Sequence, residues 1–187
     1  MNKKRCSWVS EEEVYIRYHD DEWGVPTHDD RELFEMLVLE SFQAGLSWIT
    51  ILKKRENFRK AFDKFDIEKI IDYDDAKVEE LRNNAGIIRH KGKIESAINN
   101  AKVFKEIQEE YGSFSNYIWG FTENQVLKDT EENYKPNSPL SDKIAKDLKK
   151  RGMKFVGTTI IYSYLESIGV IYNHTHDCFK YEEGINK

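Results

Sequence analysis

The spacing of apolar positions predicts helices along most of the chain. Asp29-Asp30-Arg31-Glu32 has the form of a capping box with Asp29 as N-cap. The stripe that follows, Leu33, Met36, Leu37 and Glu40, runs at i, i+3, i+4 and i+7. A carboxylate therefore occupies a helix face bound for the core. Gly45 predicts a break, and Trp48, Ile51, Leu52, Phe58 and Phe62 mark a second helix. Asp66 caps a short helix through Ile71. Asp74 caps another, with Val78 and Leu81 inward, that stops near Asn83-Asn84-Ala85-Gly86. Beyond this glycine turn, Ile94, Ala97, Ile98, Ala101 and Phe104 predict a long helix. Residues 122–140, with Pro136 and Pro139, read as a loop. Ser141 is placed as the cap of a helix through Leu148 that Gly152 ends. A last helix runs near Val156 to Ile168, with Gly169 as its C-terminal cap. Sustained strand alternation is absent, so the expected fold class is all-α.

Length and composition narrow this picture. A chain of 187 residues is expected to form a single unit over 1–187. An apolar fraction of 39% and an aromatic fraction of 13% argue against a wholly disordered chain. The N-terminal MNKKRCSWVSEEE has no apolar signal region. The longest nearly uncharged run, residues 36–52, still contains Glu40 and Gln43 and makes a poor membrane span. A soluble, cytoplasmic protein with no membrane partner is expected.

The net charge of −5 weighs weakly against nucleic acid, but its distribution says more. Residues 10–40 carry 11 acids against Arg17 and Arg31. Residues 53–60, 82–93 and 143–154 are basic, at +4, +4 and +5 with His90 neutral. Each stretch alone reads equally as a solvated helix face. Together, two of them bracketing glycine turns, they can form one phosphate-binding surface. The helix, glycine turn and helix around Gly86 can present backbone N–H groups to a phosphate, although an ordinary helical hairpin has the same pattern.

Two cysteines lie near opposite ends of the chain, each with a histidine at ligand-like spacing. They are Cys6 with His19, and His174 with Cys178 in HTHDC, where His176 is a spare donor. Two thiolates and two imidazoles suit tetrahedral zinc, with four protein ligands and a structural role. Unrelated buried cysteines and a disulfide are the competing readings, the latter disfavoured in a reducing compartment. Trp8, Tyr15, Tyr18, Trp23 and Trp48 surround Glu40 in sequence. Core packing explains such aromatics; a stacking cage for a flat heterocycle, with Glu40 and the Tyr18 hydroxyl at its edge, also does. An unpaired carboxylate in a dry pocket needs a partner, which a ligand's donor edge or a neighbouring helix N-terminus would supply.

The segments RCSWVS (5–10), YIRYHDDEWGVP (15–26), LFEMLVLESFQAGLSWITILKKRENF (33–58), NAGIIRHKGKI (84–94) and RGMKFVGTTIIYSYLESIG (151–169), with the HTHDC tail, together closely resemble the bacterial DNA-3-methyladenine glycosylase I family. The resemblance implies a helix-hairpin-helix DNA glycosylase fold whose terminal segments, about 1–28 and 170–187, meet at a structural zinc site, one Zn2+ per chain. The matching ligands are Cys6, His19, His174 and Cys178. It implies a base pocket at Trp8, Tyr15, Tyr18, Trp23, Glu40 and Trp48, with Glu40 and Tyr18 as the candidate catalytic residues. Gly45 and Leu46 match the segment that probes DNA beside the lesion. The hairpin, with Gly86, Arg89, Lys91 and Lys93, and the segment with Lys154, Gly157 and Thr158 match phosphate-anchoring elements. The family lacks the catalytic aspartate of other helix-hairpin-helix glycosylases. The implied partner is double-stranded alkylated DNA and the implied product 3-methyladenine, released by a monomer acting in base-excision repair. A lesion-binding protein without catalysis and an enzyme of free nucleobases are the alternatives.

Overall fold

The computed structural model describes residues 3–129 and 135–181. The terminal residues assigned to the zinc-linked segments at 1–2 and 182–187 lie outside them. Nine α-helices form the described molecule. They are α1 (Glu13–Arg17), α2 (Asp30–Gln43), α3 (Trp48–Ala61), α4 (Ile67–Ile70), α5 (Asp75–Asn83), α6 (Lys91–Tyr111), α7 (Phe114–Gly120), α8 (Pro139–Lys150) and α9 (Thr158–Ser167). Two short strands, β1 (Leu127–Lys128) and β2 (Ile171–Tyr172), pair in parallel, Leu127 beside Ile171. They are too short to leave an alternating pattern. The all-α class expected from periodicity is found as a mainly helical fold, with this strand pair added, β1 inside the expected loop and β2 after α9.

The caps explain why the helices start where they do. Asp29 accepts from the backbone N–H of Arg31 and Glu32, both at 3.0 Å. Asp66 accepts from Glu68 N and Asp74 from Lys77 N. Ser141 is not a cap. Pro139 opens α8, where its missing N–H costs nothing, and Ser138 is the N-cap. Ser141 is the reciprocal partner of Ser138, 2.8 Å and 3.1 Å apart in the two bonds.

The core is built around α2. Every residue from Leu33 to Phe42 is buried, so the helix is covered on all sides rather than along one stripe. Helices α3, α6, α7 and α9 pack against it. Phe34 meets Phe104 and Phe65, and Phe42 meets Phe58 and Phe62. Full enclosure is what makes the two acids of this segment, Glu35 and Glu40, unusual.

The end of α9 sets the position of residues 23–27. Gly24 N donates to Glu166 O and Thr27 N to Ile168 O. Gly169, at φ +77°, lies so close that a Cβ would stand 2.4 Å from Pro26 N and Val25 C. Gly169→Ala therefore combines left-handed strain with a backbone collision. The expected loss is about 3 kcal/mol, or about 6–12 °C in a chain of this size, read in a thermal melt. An unchanged melting temperature would refute this packing argument.

Candidate functional site

The helix α1 passes directly into a single π turn, Tyr18–Glu22. The turn holds two neighbouring side chains, Tyr18 and His19, that are both buried and serve different clusters. Tyr18 faces Trp48, with ring centroids 5.4 Å apart, and Trp8 at 6.5 Å. Trp8 also contacts Tyr15 at 5.1 Å and Trp23 at 4.9 Å. The five aromatics named from sequence thus form one connected cluster. Trp23 stands at its edge, 4.6 Å from the His174 ring.

Two carboxylates on α2 have opposite environments. Glu35, 6% exposed, accepts from Arg55 and Arg59 on α3, at 2.5 Å and 2.9 Å. Arg55 also binds Glu22 of the π turn. Glu40, 4% exposed, has no cation or hydrogen-bond donor among the described residues acting on it. Burial, and then the charge of Glu166, push its pKa well above the usual carboxylate range. Tyr18 is pushed up by burial and then by Glu40, and Tyr15 by the same two causes. Glu40 therefore lies within electrostatic reach of both tyrosines. Glu166 was not foreseen. Burial raises it to about 7, against a hydrogen bond from Asn173 at 2.8 Å. The Trp48 indole Nε1 is buried without a hydrogen-bond partner among the described residues. Among the described residues, one carboxyl within electrostatic reach of two tyrosines and one indole donor thus stand unpaired.

The second cluster brings the two ends of the sequence together. Cys6, His19, His174 and Cys178 are all buried, and one ligand atom from each lies within 4.8 Å of the others. His174 Nδ1 is 3.6 Å from both Cys6 Sγ and Cys178 Sγ, and His19 Nε2 is 3.5 Å from Cys178 Sγ. His176 is not part of it and sits against Tyr181 at the surface. His19 Nδ1 is 2.8 Å from Asp20, whose carboxylate Arg5 holds in a fork. Burial raises Asp20, but the Arg5 and His19 bonds outweigh it and lower its pKa. A hydrogen bond shared by the two thiols draws Cys178 down and pushes Cys6 up. Gly24 admits the His174 ring, since a Cβ there would meet Nε2 at 3.3 Å. This set is suited to a metal ion, with the orienting carboxylate that metal-binding histidines commonly have.

The basic stretches separate in three dimensions. In 53–60, Lys53 pairs with Glu12, Arg55 and Arg59 with Glu35, and Lys54 donates to the carbonyl of Ala85. Most of that charge is internally matched, and Lys54 with Asn57 clamps the glycine turn onto α3. Arg89, Lys91 and Lys154 are exposed, Lys91 near Glu95. Lys93, expected among the phosphate contacts, is buried, and its ammonium donates inward to carbonyls of α2. Gly45 and Leu46 are exposed at a turn between α2 and α3. Gly157 is the N-cap of α9, and the Thr158 hydroxyl is engaged with Asp142 and Ser141. Lys154 is held through its backbone by Asn100, which bonds both its N–H and its carbonyl. Asn57, exposed, and Asn100, buried, left no sequence signal, because a single amide has no periodicity.

Among the described residues, no helix is long and apolar enough to cross a membrane. Residues 8–181 match a family model described as methyladenine glycosylase. The chain is 47% identical over 181 residues to DNA-3-methyladenine glycosylase 1 of Escherichia coli (strain K12), covering 95% of this chain and 97% of that protein. A crystal structure of a 3-methyladenine DNA glycosylase I matches with a TM-score of 0.91 at 47% identity, over 94% of this chain and 98% of that one. A structure of 3-methyladenine DNA glycosylase I from Staphylococcus aureus, which concerns 3-methyladenine recognition, matches with a TM-score of 0.90 at 35% identity, over 94% and 95% of the two chains.

Proposed function

From the premise that this chain belongs to the methyladenine glycosylase family, we propose that it excises 3-methyladenine from alkylated duplex DNA. The reaction is hydrolysis of the N-glycosidic bond. Water adds to the sugar carbon, the base leaves with the bonding electrons, and an abasic site remains. Methylation at N3 makes the attached base cationic, so the bond is weakened beforehand and the leaving group needs no protonation. The protein's work is to extrude the base, hold it and select it, and extrusion costs least for a lesion that pairs poorly.

The observation that carries this reading is Glu40, a buried carboxyl with no hydrogen-bond donor or cation acting on it among the described residues, within electrostatic reach of Tyr15 and Tyr18 in the aromatic cluster. In this reading, Tyr15, Tyr18 and the indoles stack on or border the flipped base. Glu40 accepts from the adenine amino edge and opposes the positive charge. A guanine carbonyl at the same edge would set acceptor against acceptor, which selects adenine lesions. Leu46, at the exposed turn, occupies the gap in the duplex, and Arg89, Lys91 and Lys154 contact phosphates.

Cys6, His19, His174 and Cys178 would hold one zinc ion. Tetrahedral bonds of about 2.3 Å to sulfur and about 2.0 Å to nitrogen separate S from N by about 3.5 Å. Three of the four S···N separations, at 3.5–3.6 Å, fit that spacing, and all the ligand atoms lie within 4.8 Å of one another. Zinc there ties the ends of the chain and leaves the chemistry to the pocket.

The test is incubation of the purified protein with methylated duplex DNA, without added magnesium, followed by chromatography of the released bases. Release of 3-methyladenine with little 7-methylguanine is expected. A folded sample that binds the DNA and releases no base would overturn the reaction and leave a lesion-binding protein.

A further inference from the structure

We propose that Lys93 is a positioning residue for base extrusion: its buried ammonium closes the end of α2 and sets the Gln43–Leu46 turn against the DNA-gripping hairpin. This rests on the glycosylase reading above.

The side chain is in an unusual place. Lys93 is in the first turn of α6, at the positive end of that helix's dipole, and is 7% exposed. Both circumstances disfavour a cation, and burial lowers its pKa. The compensation comes from another helix. Nζ donates to Phe42 O at 2.9 Å and to Ala44 O at 2.6 Å. These carbonyls belong to the last turn and C-cap of α2, where backbone acceptors are unmatched and the dipole is negative. A methionine stem would fill the same space and leave both carbonyls without this donor.

The turn so held is type II. Ala44 has φ −47° and ψ 116°, Gly45 has φ +80°, and Leu46 N donates to Gln43 O at 2.7 Å. Gln43 Nε2 closes it further through Leu46 O at 2.8 Å. Its tip stands free, since a Cβ on Gly45 would meet nothing within 4 Å. The orientation of Leu46, 37% exposed, therefore depends on how the base of the turn is fixed. The same turn links Glu40 to Trp48 along the chain.

Lys93 joins this turn to the hairpin. Its backbone N–H donates to Nδ1 of His90, the N-cap of α6 and the last residue of the glycine turn. One residue thus bonds to the hairpin through its backbone and to the base of the Leu46 turn through its ammonium. Such a tie fixes how far Leu46 stands from phosphates held at Arg89 and Lys91.

The experiment compares wild type, Lys93→Met, Leu46→Ala and the double variant Lys93→Met/Leu46→Ala. Single-turnover release of 3-methyladenine from duplex DNA is measured, with free 3-methyladenine affinity by tryptophan fluorescence. Lys93→Met is expected to slow release at least tenfold while free-base affinity stays within twofold. The double variant is expected to be no slower than the slower single variant, because both changes disable one device. Unchanged release, a parallel loss of free-base affinity, or fully multiplicative effects would overturn the proposal. Should Lys93→Met fail to fold, Lys93→Gln replaces it in the same cycle with the same criteria. A wild-type protein that releases no base would instead overturn the functional reading, so the two failures are distinguishable.

Discussion

Glu40→Gln is expected to slow 3-methyladenine release from duplex DNA about 100-fold without harming the fold. A hydrogen bond to a charged group is worth about 1.5–3 kcal/mol, and the cationic base loses its opposing charge as well. Glutamine fills the same volume and retains a carbonyl acceptor, so the loss reads the charge rather than the shape. Stability moves the other way. Burial raises the folded-state pKa of Glu40 above its unfolded value. Its contribution to stability is therefore full below the unfolded pKa and is lost as pH rises through the raised folded pKa. Glutamine cannot ionise, so the variant keeps its melting temperature as pH rises through that folded pKa, where the wild type declines. Release rates equal to wild type would remove Glu40 from both recognition and chemistry. A variant that melts lower than wild type above that folded pKa would show that the carboxylate has a partner in the folded protein.

The second large effect is expected at the cysteine and histidine cluster. Cys6→Ser should lose bound zinc and lower the melting temperature by about 8–16 °C. Structural zinc contributes about 10–16 kcal/mol in small peptides, and about 4 kcal/mol of that already gives such a shift at about 2–4 °C per kcal/mol. The pocket should suffer with it, because the two clusters share walls. Tyr18 and His19 are neighbours in one π turn, and the Trp8 ring lies 5.3 Å from the His19 ring. Free-base affinity is therefore expected to fall together with metal content. Zinc quantified per chain gives the check, and one zinc retained in Cys6→Ser would refute the ligand assignment. A chelator should reproduce the loss in the wild type, with a stability that zinc restores.

Local sequence was sufficient for the helices whose signals are local. Asp29, Asp66 and Asp74 cap as their positions predict, because an N-cap needs one side chain and the next three amides. Two serines three apart both suit a cap, and Pro139 at the first helical position selects Ser138 over Ser141. The choice of His174 over His176 was also legible, since a histidine and a cysteine four residues apart can turn to one point.

What sequence could not assign is which charge meets which partner. Glu35 and Glu40 lie on the same enclosed helix, five residues apart, and nothing local distinguishes them. Only the packing of α3 brings Arg55 and Arg59 to Glu35, while Glu40 acts on Tyr15 and Tyr18. Lys93 looked like a phosphate contact in a basic run, yet the end of α2 draws it inward. The basic run at 53–60 similarly faces acids and carbonyls of its own chain. Capping and periodicity act over a few residues, so the chain alone determined its helices and the residue types that could hold a metal. Ion pairing and burial act across tens of residues of separation, so only the tertiary structure decided which carboxylate stands free and which lysine turns inward.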